Sequence, residues 1–267
     1  MKIKLIVSLA CVTVISASAI AAVKPKVSTP EEKATRAERR LKALNATGGF
    51  IADPRNASGK YCFINCVKDL KEEVLKAAAI KCQNSCLILT EVKNENMPKF
   101  TFAEADQAFR KSGGLMATFL IDEDGWPLQL VCPEKRWVVV NVRQLKTDKP
   151  SDEVYNARVR KMMSRSLGQL FQAGYAFSSV STMNLLSSAQ DLDRIATEGL
   201  ATECTTVVNA TAAKFGFSPM KRILYRKAVE EGWAPPPVNS FQKSAWDQVH
   251  ATPKNPMKIE FDPKKGR

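Results

Sequence analysis

The chain has 267 residues, 40 lysines and arginines against 27 aspartates and glutamates, a formal charge of +13 and a single histidine. One histidine excludes a zinc centre built on two histidines one helical turn apart, and it leaves a serine or cysteine triad only His250 to recruit. The length supports one good core, or a main domain with a small appendage. The basic residues are spread along the chain and not grouped with aromatics, so the charge reads first as a solvated basic surface and second as attraction to an anionic polymer or envelope surface.

Residues 1 to 22, MKIKLIVSLACVTVISASAIAA, place Lys2 and Lys4 before an apolar run that ends in small residues. That is the layout of a secretory signal peptide cleaved near Ala22, and it predicts export to the periplasm or beyond. No later segment is apolar enough to span a membrane. Six cysteines then remain: Cys62, Cys66, Cys82, Cys86, Cys132 and Cys204. An even number in an exported chain predicts one or more disulfides first, small buried cysteines second and a metal site third. Residues 23 to 55 read as a basic arm with a short helix starting at Pro30.

An α/β domain is expected from 56 to 200. Tyr61 to Val67 reads as a strand, Leu70 to Ile80 as a helix and Cys86 to Val92 as a second strand, which makes a right-handed parallel β-α-β unit. Phe102 to Lys111 is a helix ended by Gly113 and Gly114. Met116 to Ile121, Leu128 to Cys132 and Trp137 to Val142 are further strands, with MATFLI and WVVVNV buried on both faces. The pattern predicts a mixed sheet, mostly parallel, with an antiparallel edge strand added around Leu128 to Val142. A long helix runs from Asp152 to Gln172, with Val159, Met163, Leu167 and Leu170 on one stripe and Arg158, Arg165, Gln169 and Gln172 on the other. A short helix is expected at Ala189 to Asp193. Residues 201 to 267 read as a helical C-terminal part, with helices at Thr202 to Phe215, Met220 to Glu231 and Ser240 to His250, and with an extended basic tail. Trp233, Phe241, Trp246 and Pro235 to Pro237 are expected to clamp the last helix onto the body.

The order of elements resembles the zincin fold, specifically the metzincin proteases, over roughly residues 60 to 195. The family signature is His-Glu-x-x-His-x-x-Gly-x-x-His. Laid on SRSLGQLFQAGY, its three histidines fall on Arg165, Gln169 and Tyr175, its glutamate on Ser166 and its glycine on Gln172. Leu167 and Gly168 match the Leu-Gly pair common before the second histidine, and Met183 stands where the Met-turn methionine would be. The resemblance implies a scaffold with an active-site-type helix beneath an edge strand. It does not carry over zinc binding or peptide hydrolysis, because every ligand position and the general base are replaced.

Two readings of the polar stripe follow. It is the wet face of an amphipathic helix, or it lines a former substrate cleft in which Arg165, Ser166, Gln169, Tyr175 and Met183 meet a ligand. The second reading predicts an exported, noncatalytic metzincin-like protein that binds a polypeptide or surface ligand, with no metal and no cofactor. A non-zinc hydrolase is the alternative, using Asp122, Glu123 and Asp124, or Ser164 or Ser166 with Lys161. A basic protein that binds the envelope or an anionic polymer is the third. Nothing in the chain specifies an oligomeric state.

Overall fold

The structure is a computed structural model that describes residues 30 to 176 and 178 to 251. The expected signal peptide and the basic tail lie outside the described residues. The chain divides into two compact units at Lys42. Helix α1 (Pro30–Thr47) is exposed from residue 32 to residue 43.

From Ala43 onward, the strands β1 (Phe50–Asp53), β2 (Lys60–Asn65), β3 (Leu89–Asn94), β4 (Met116–Ile121), β5 (Gln129–Cys132), β6 (Trp137–Asn141) and β7 (Lys221–Leu224) form two sheets. The main sheet has the order β3-β2-β4-β6-β5. Its first four strands are parallel, and β5 pairs antiparallel with β6 and forms the edge, with Gln129 opposite Val140 and Cys132 opposite Trp137. This is the mixed sheet that the residue pattern predicts. Every residue of β4 and β6 is buried, as expected of strands covered on both faces.

Alternation along the strands builds two cores. Tyr61, Phe63, Met116, Leu120, Val138 and Val140 face α2 (Glu72–Cys86), α4 (Asp152–Leu170) and α5 (Thr202–Thr211). Cys62, Ile64, Ala117, Phe119, Ile121, Trp137 and Val139 face α3 (Phe102–Ser112). Helix α3 starts where the Thr101 side chain accepts a hydrogen bond from the Glu104 amide, and it stops at Gly113, whose φ of 66° is cheap only for glycine. Helix α4 starts at Ser151, which caps the Val154 amide, with Asp152 and Glu153 in the first turn. Among the described residues, no helix is long and apolar enough to cross a membrane.

Three expectations are corrected. Helix α2 continues to Cys86, six residues past the expected end, and stops only where Leu87 turns left-handed at φ 56°. Without a Gly or Pro in that stretch, the sequence carries no stop signal. Met220 to Glu231 is not one helix: Lys221–Leu224 is β7, paired antiparallel with β1, and α6 (Tyr225–Glu230) follows it. With α7 (Ser240–Ala251), these elements close a small third cluster around Tyr225, whose hydroxyl donates to the Pro235 carbonyl; Trp233 and Trp246 pack against it.

The third correction concerns the cysteines. All six are free thiols, and disulfides are absent among them. Cys62 lies in β2 and Cys66 just past its end. Four extended residues span about 13 Å, beyond the roughly 7 Å limit between bridged Cα atoms. Cys82 and Cys86 are one turn apart on α2, where Cβ atoms stand about 5–6 Å apart and a bridge needs about 4 Å. The two pairs also serve opposite faces of the sheet. Burial pushes the thiols up, Cys66 to about 12 and Cys82 to about 11, so they stay protonated and act as small apolar side chains.

Candidate functional site

Helix α4 lies against the sheet, with Val159, Met163, Leu167 and Leu170 buried in the core as predicted. Its other stripe is not wet. Arg158 is 1% exposed and Arg165 5%, and Lys161, Ser164 and Ser166 are buried as well. Only Gln172, just past the helix end, is exposed. The cover is the largely irregular chain that follows, residues 173 to 176 and 178 to 200, with one short 3-10 helix at Ala189–Arg194. Such a segment brings backbone carbonyls that need donors, and the stripe supplies them. The Lys161 ammonium donates to the Leu192 carbonyl at 2.8 Å. The Ser164 hydroxyl donates to the Glu198 carbonyl at 2.6 Å. Arg165 Nη1 donates to the carbonyls of Thr182, at 2.8 Å, and Asn184, at 2.5 Å.

Met183 is buried on this loop, and Gly168 explains how it gets there. A Cβ at Gly168 would stand 2.9 Å from Met183 Sδ and 2.9 Å from Leu200 Cδ2. The bare backbone at 168 therefore lets the methionine loop close onto the helix. Leu167 and Gly168, read from sequence as a motif match, work as packing residues.

Arg165 stands at the centre of the remaining predicted residues. Its Nε donates to Gln129 Oε1 at 3.4 Å, which ties the helix to the first residue of β5. Its guanidinium carbon lies 5.5 Å from the centre of the Tyr175 ring, a cation–π distance, and Tyr175 is 54% exposed. Gln169 follows one turn later on the same face. Ser166 does not join this group. It turns into the sheet, donates to the Met163 carbonyl and shares a 2.7 Å hydrogen bond with Thr118, which in turn meets the Tyr61 hydroxyl at 2.6 Å. Of the five predicted positions, Arg165 and Tyr175 touch, Gln169 adjoins them, Met183 packs beside them at Gly168, and Ser166 is a core hydroxyl.

Three buried polar atoms around Arg165 have no hydrogen-bond partner among the described residues: Gln129 Nε2, Gln169 Oε1 and Thr182 Oγ1. Arg165 also lacks a carboxylate partner among the described residues; the ionisable group acting on it is the Tyr175 phenol. Burial pulls its pKa below the ordinary value, though a guanidinium stays charged at neutral pH. Gln129 and Thr182 were not singled out from sequence, because nothing local marks either residue.

The donor set does not fit zinc. Arg165 offers a cation with no lone pair where the family has a ligand, and the Ser166 hydroxyl is engaged in the core. Among the described residues, no three His, Cys, Asp or Glu side chains are grouped to hold a metal ion. The other candidate chemistries are also spent on structure. Asp122 and Asp124 pair with Arg143 at 2.8 and 2.9 Å, and Glu123 accepts from the Phe100 amide. Lys161 and Ser164 bond to separate carbonyls instead of each other, and Lys161 is buried. His250 is exposed and stacked on Trp246 at 4.6 Å.

The chain is similar in structure to two peptidases. An archaemetzincin from Methanopyrus kandleri superposes with a TM-score of 0.45 at 19% identity, over 59% of this chain and 97% of that one. A zinc-dependent peptidase from Methanocorpusculum labreanum gives 0.43 at 13% identity, over 57% of this chain and all of that one. No protein-family model matches the chain, and no curated protein matches it in sequence.

Proposed function

We propose that this chain is an exported, noncatalytic zincin-like protein that binds an extended polypeptide along β5. The observation that carries the reading is the outer edge of β5, unpaired among the described residues and tied through Gln129 to the buried Arg165 of α4. An unpaired strand edge offers a row of amides and carbonyls to another extended chain, and side-chain pockets beside it add selectivity. Tyr175, Val180 and Leu185, on the segment that covers α4, remain about half exposed and supply apolar surface for such a chain. The layout of residues 1 to 22 supports export.

The alternatives have less support. A hydrolase needs an activated nucleophile or a free carboxylate pair, and the serines and acids in question are bonded to backbone and to basic side chains. Polyanion binding is weakened by the pairing of surface charges, as in Lys60 with Glu91, Arg160 with Glu198 and Arg226 with Glu230.

Hydrogen exchange tests the reading. A pool of random hexapeptides is expected to slow exchange of amides in residues 129 to 132. Binding that protects other segments and leaves these amides unchanged would remove the proposal.

A further inference from the structure

Arg165 is a buried cation with no carboxylate partner among the described residues, and it is built into its place. Its Nε and Nη1 are committed to Gln129, Thr182 and Asn184. Nη2 has no hydrogen-bond partner among the described residues. The residues that hold the guanidinium themselves carry unused polar atoms: Gln129 Nε2 beside the Nε contact, and Thr182 Oγ1 on a fully buried side chain whose carbonyl takes Nη1. Gln169 Oε1, one turn along α4, is an unused acceptor. A buried charge is normally matched by an opposite charge, and a buried donor or acceptor by a partner. Here the helix provides the contrast within itself, because the equally buried Arg158 has two carboxylates.

We propose that the Arg165 corner receives a carboxylate, and that its natural source is the C-terminal carboxylate of the polypeptide on β5. This rests on the edge-strand reading above. The free donors, Nη2, Gln129 Nε2 and the Thr182 hydroxyl, suit a planar anion, since guanidinium and carboxylate match as parallel hydrogen bonds. The free acceptor at Gln169 suits an N–H group. A peptide terminus brings both, an anion with an amide N–H on the adjoining Cα, whereas a simple anion leaves Gln169 unmatched. Position agrees as well. Gln129 is the first residue of β5, so a chain laid along that edge has one end at Arg165.

Two pools of random hexapeptides decide the matter, one with free C-terminal carboxylates and one amidated, bound to the full exported chain. The free-acid pool is expected to bind about tenfold more tightly, and Arg165→Met is expected to abolish that preference while the amide pool binds as before. A wild-type protein that binds both pools equally overturns the inference and leaves the edge-strand reading standing. If only acidic members of the amide pool bind, the source is an Asp or Glu side chain and the terminal assignment falls. If neither pool binds, the edge-strand reading fails, and acetate decides the rest: a shift of the Arg165 Nε–H resonance under acetate, absent under chloride, keeps the carboxylate site, and no shift removes it. The wild-type comparison stands even where the variant fails to fold.

Discussion

Arg158 and Arg165 sit two turns apart on one face of α4, and both are buried. The first is saturated. Asp148 takes Nη1 and Nη2 at 2.6 and 2.8 Å, Asp193 takes Nε and Nη2 at 2.9 and 2.6 Å, and the Leu145 carbonyl takes Nη1 at 2.8 Å. The second has carbonyls, an amide oxygen and an aromatic ring, but no acid among the described residues. The N-terminal half of the helix is therefore a closed joint between the segments at 148 and 193. The C-terminal half is a polar corner whose guanidinium has no carboxylate partner among the described residues. Burial alone does not distinguish the two arginines; the completeness of their partners does.

The largest test strips Arg158 to the condition of Arg165. The double variant Asp148→Asn, Asp193→Asn leaves a buried guanidinium with no charge to oppose it. Urea unfolding at neutral pH is expected to show the largest drop in midpoint of the variants considered, and an unchanged midpoint would show that the two arginines do not differ as described. The same joint sets the acid limit. The Arg158 hydrogen bonds hold the Asp148 carboxyl at about 2, below its ordinary value near 4. A depressed carboxylate contributes stability that is complete above its unfolded pKa and lost as pH falls through the folded one. The melting temperature is expected to fall between pH 4 and pH 2, and to fall less steeply in Asp148→Asn.

A smaller effect is expected at Gly168, which belongs to the open half. Gly168→Ala returns about 1 kcal/mol of helix propensity, but it drives a methyl into Met183 and Leu200 at a cost of about 1–3 kcal/mol. The expected net loss is about 1 kcal/mol by denaturant titration, with the Thr182 carbonyl pushed off Arg165. A variant more stable than wild type would show that the methionine loop yields freely and does not position the corner.

Periodicity made the sheet legible. The continuous apolar runs of β4 and β6 gave a mostly parallel sheet with an antiparallel edge strand, and the apolar stripe from Val159 to Leu170 gave α4; the strand order was not in the pattern. It failed where no local signal exists. FIAD and KRIL are four-residue strands that become strands only by pairing across the chain. On α4 it grouped Arg158, Arg165 and Gln169 as one stripe and read it as solvent-facing or cleft-lining; burial rules out the first. The covering loop decides the matter, and its path is set by Gly168, Leu200 and a set of carbonyl acceptors that helical spacing does not encode. Asp193, read from sequence as part of a short helix, is a partner of Arg158.

The smallest expected effect is the most informative. Arg165→Met removes a desolvated charge, which favours the folded state, and it strips donors from the Thr182 and Asn184 carbonyls, which costs about 1 kcal/mol for each bond. Methionine refills most of the volume and keeps the stem packed. The terms oppose, so stability is expected to change by less than about 1 kcal/mol. A loss as large as that of the Asp148 and Asp193 double variant would break the comparison, since Arg165 would then be a second structural joint. Unchanged stability with a lost preference for free-acid peptides would sharpen it: on one helix, one buried arginine holds the protein together and the other is held ready.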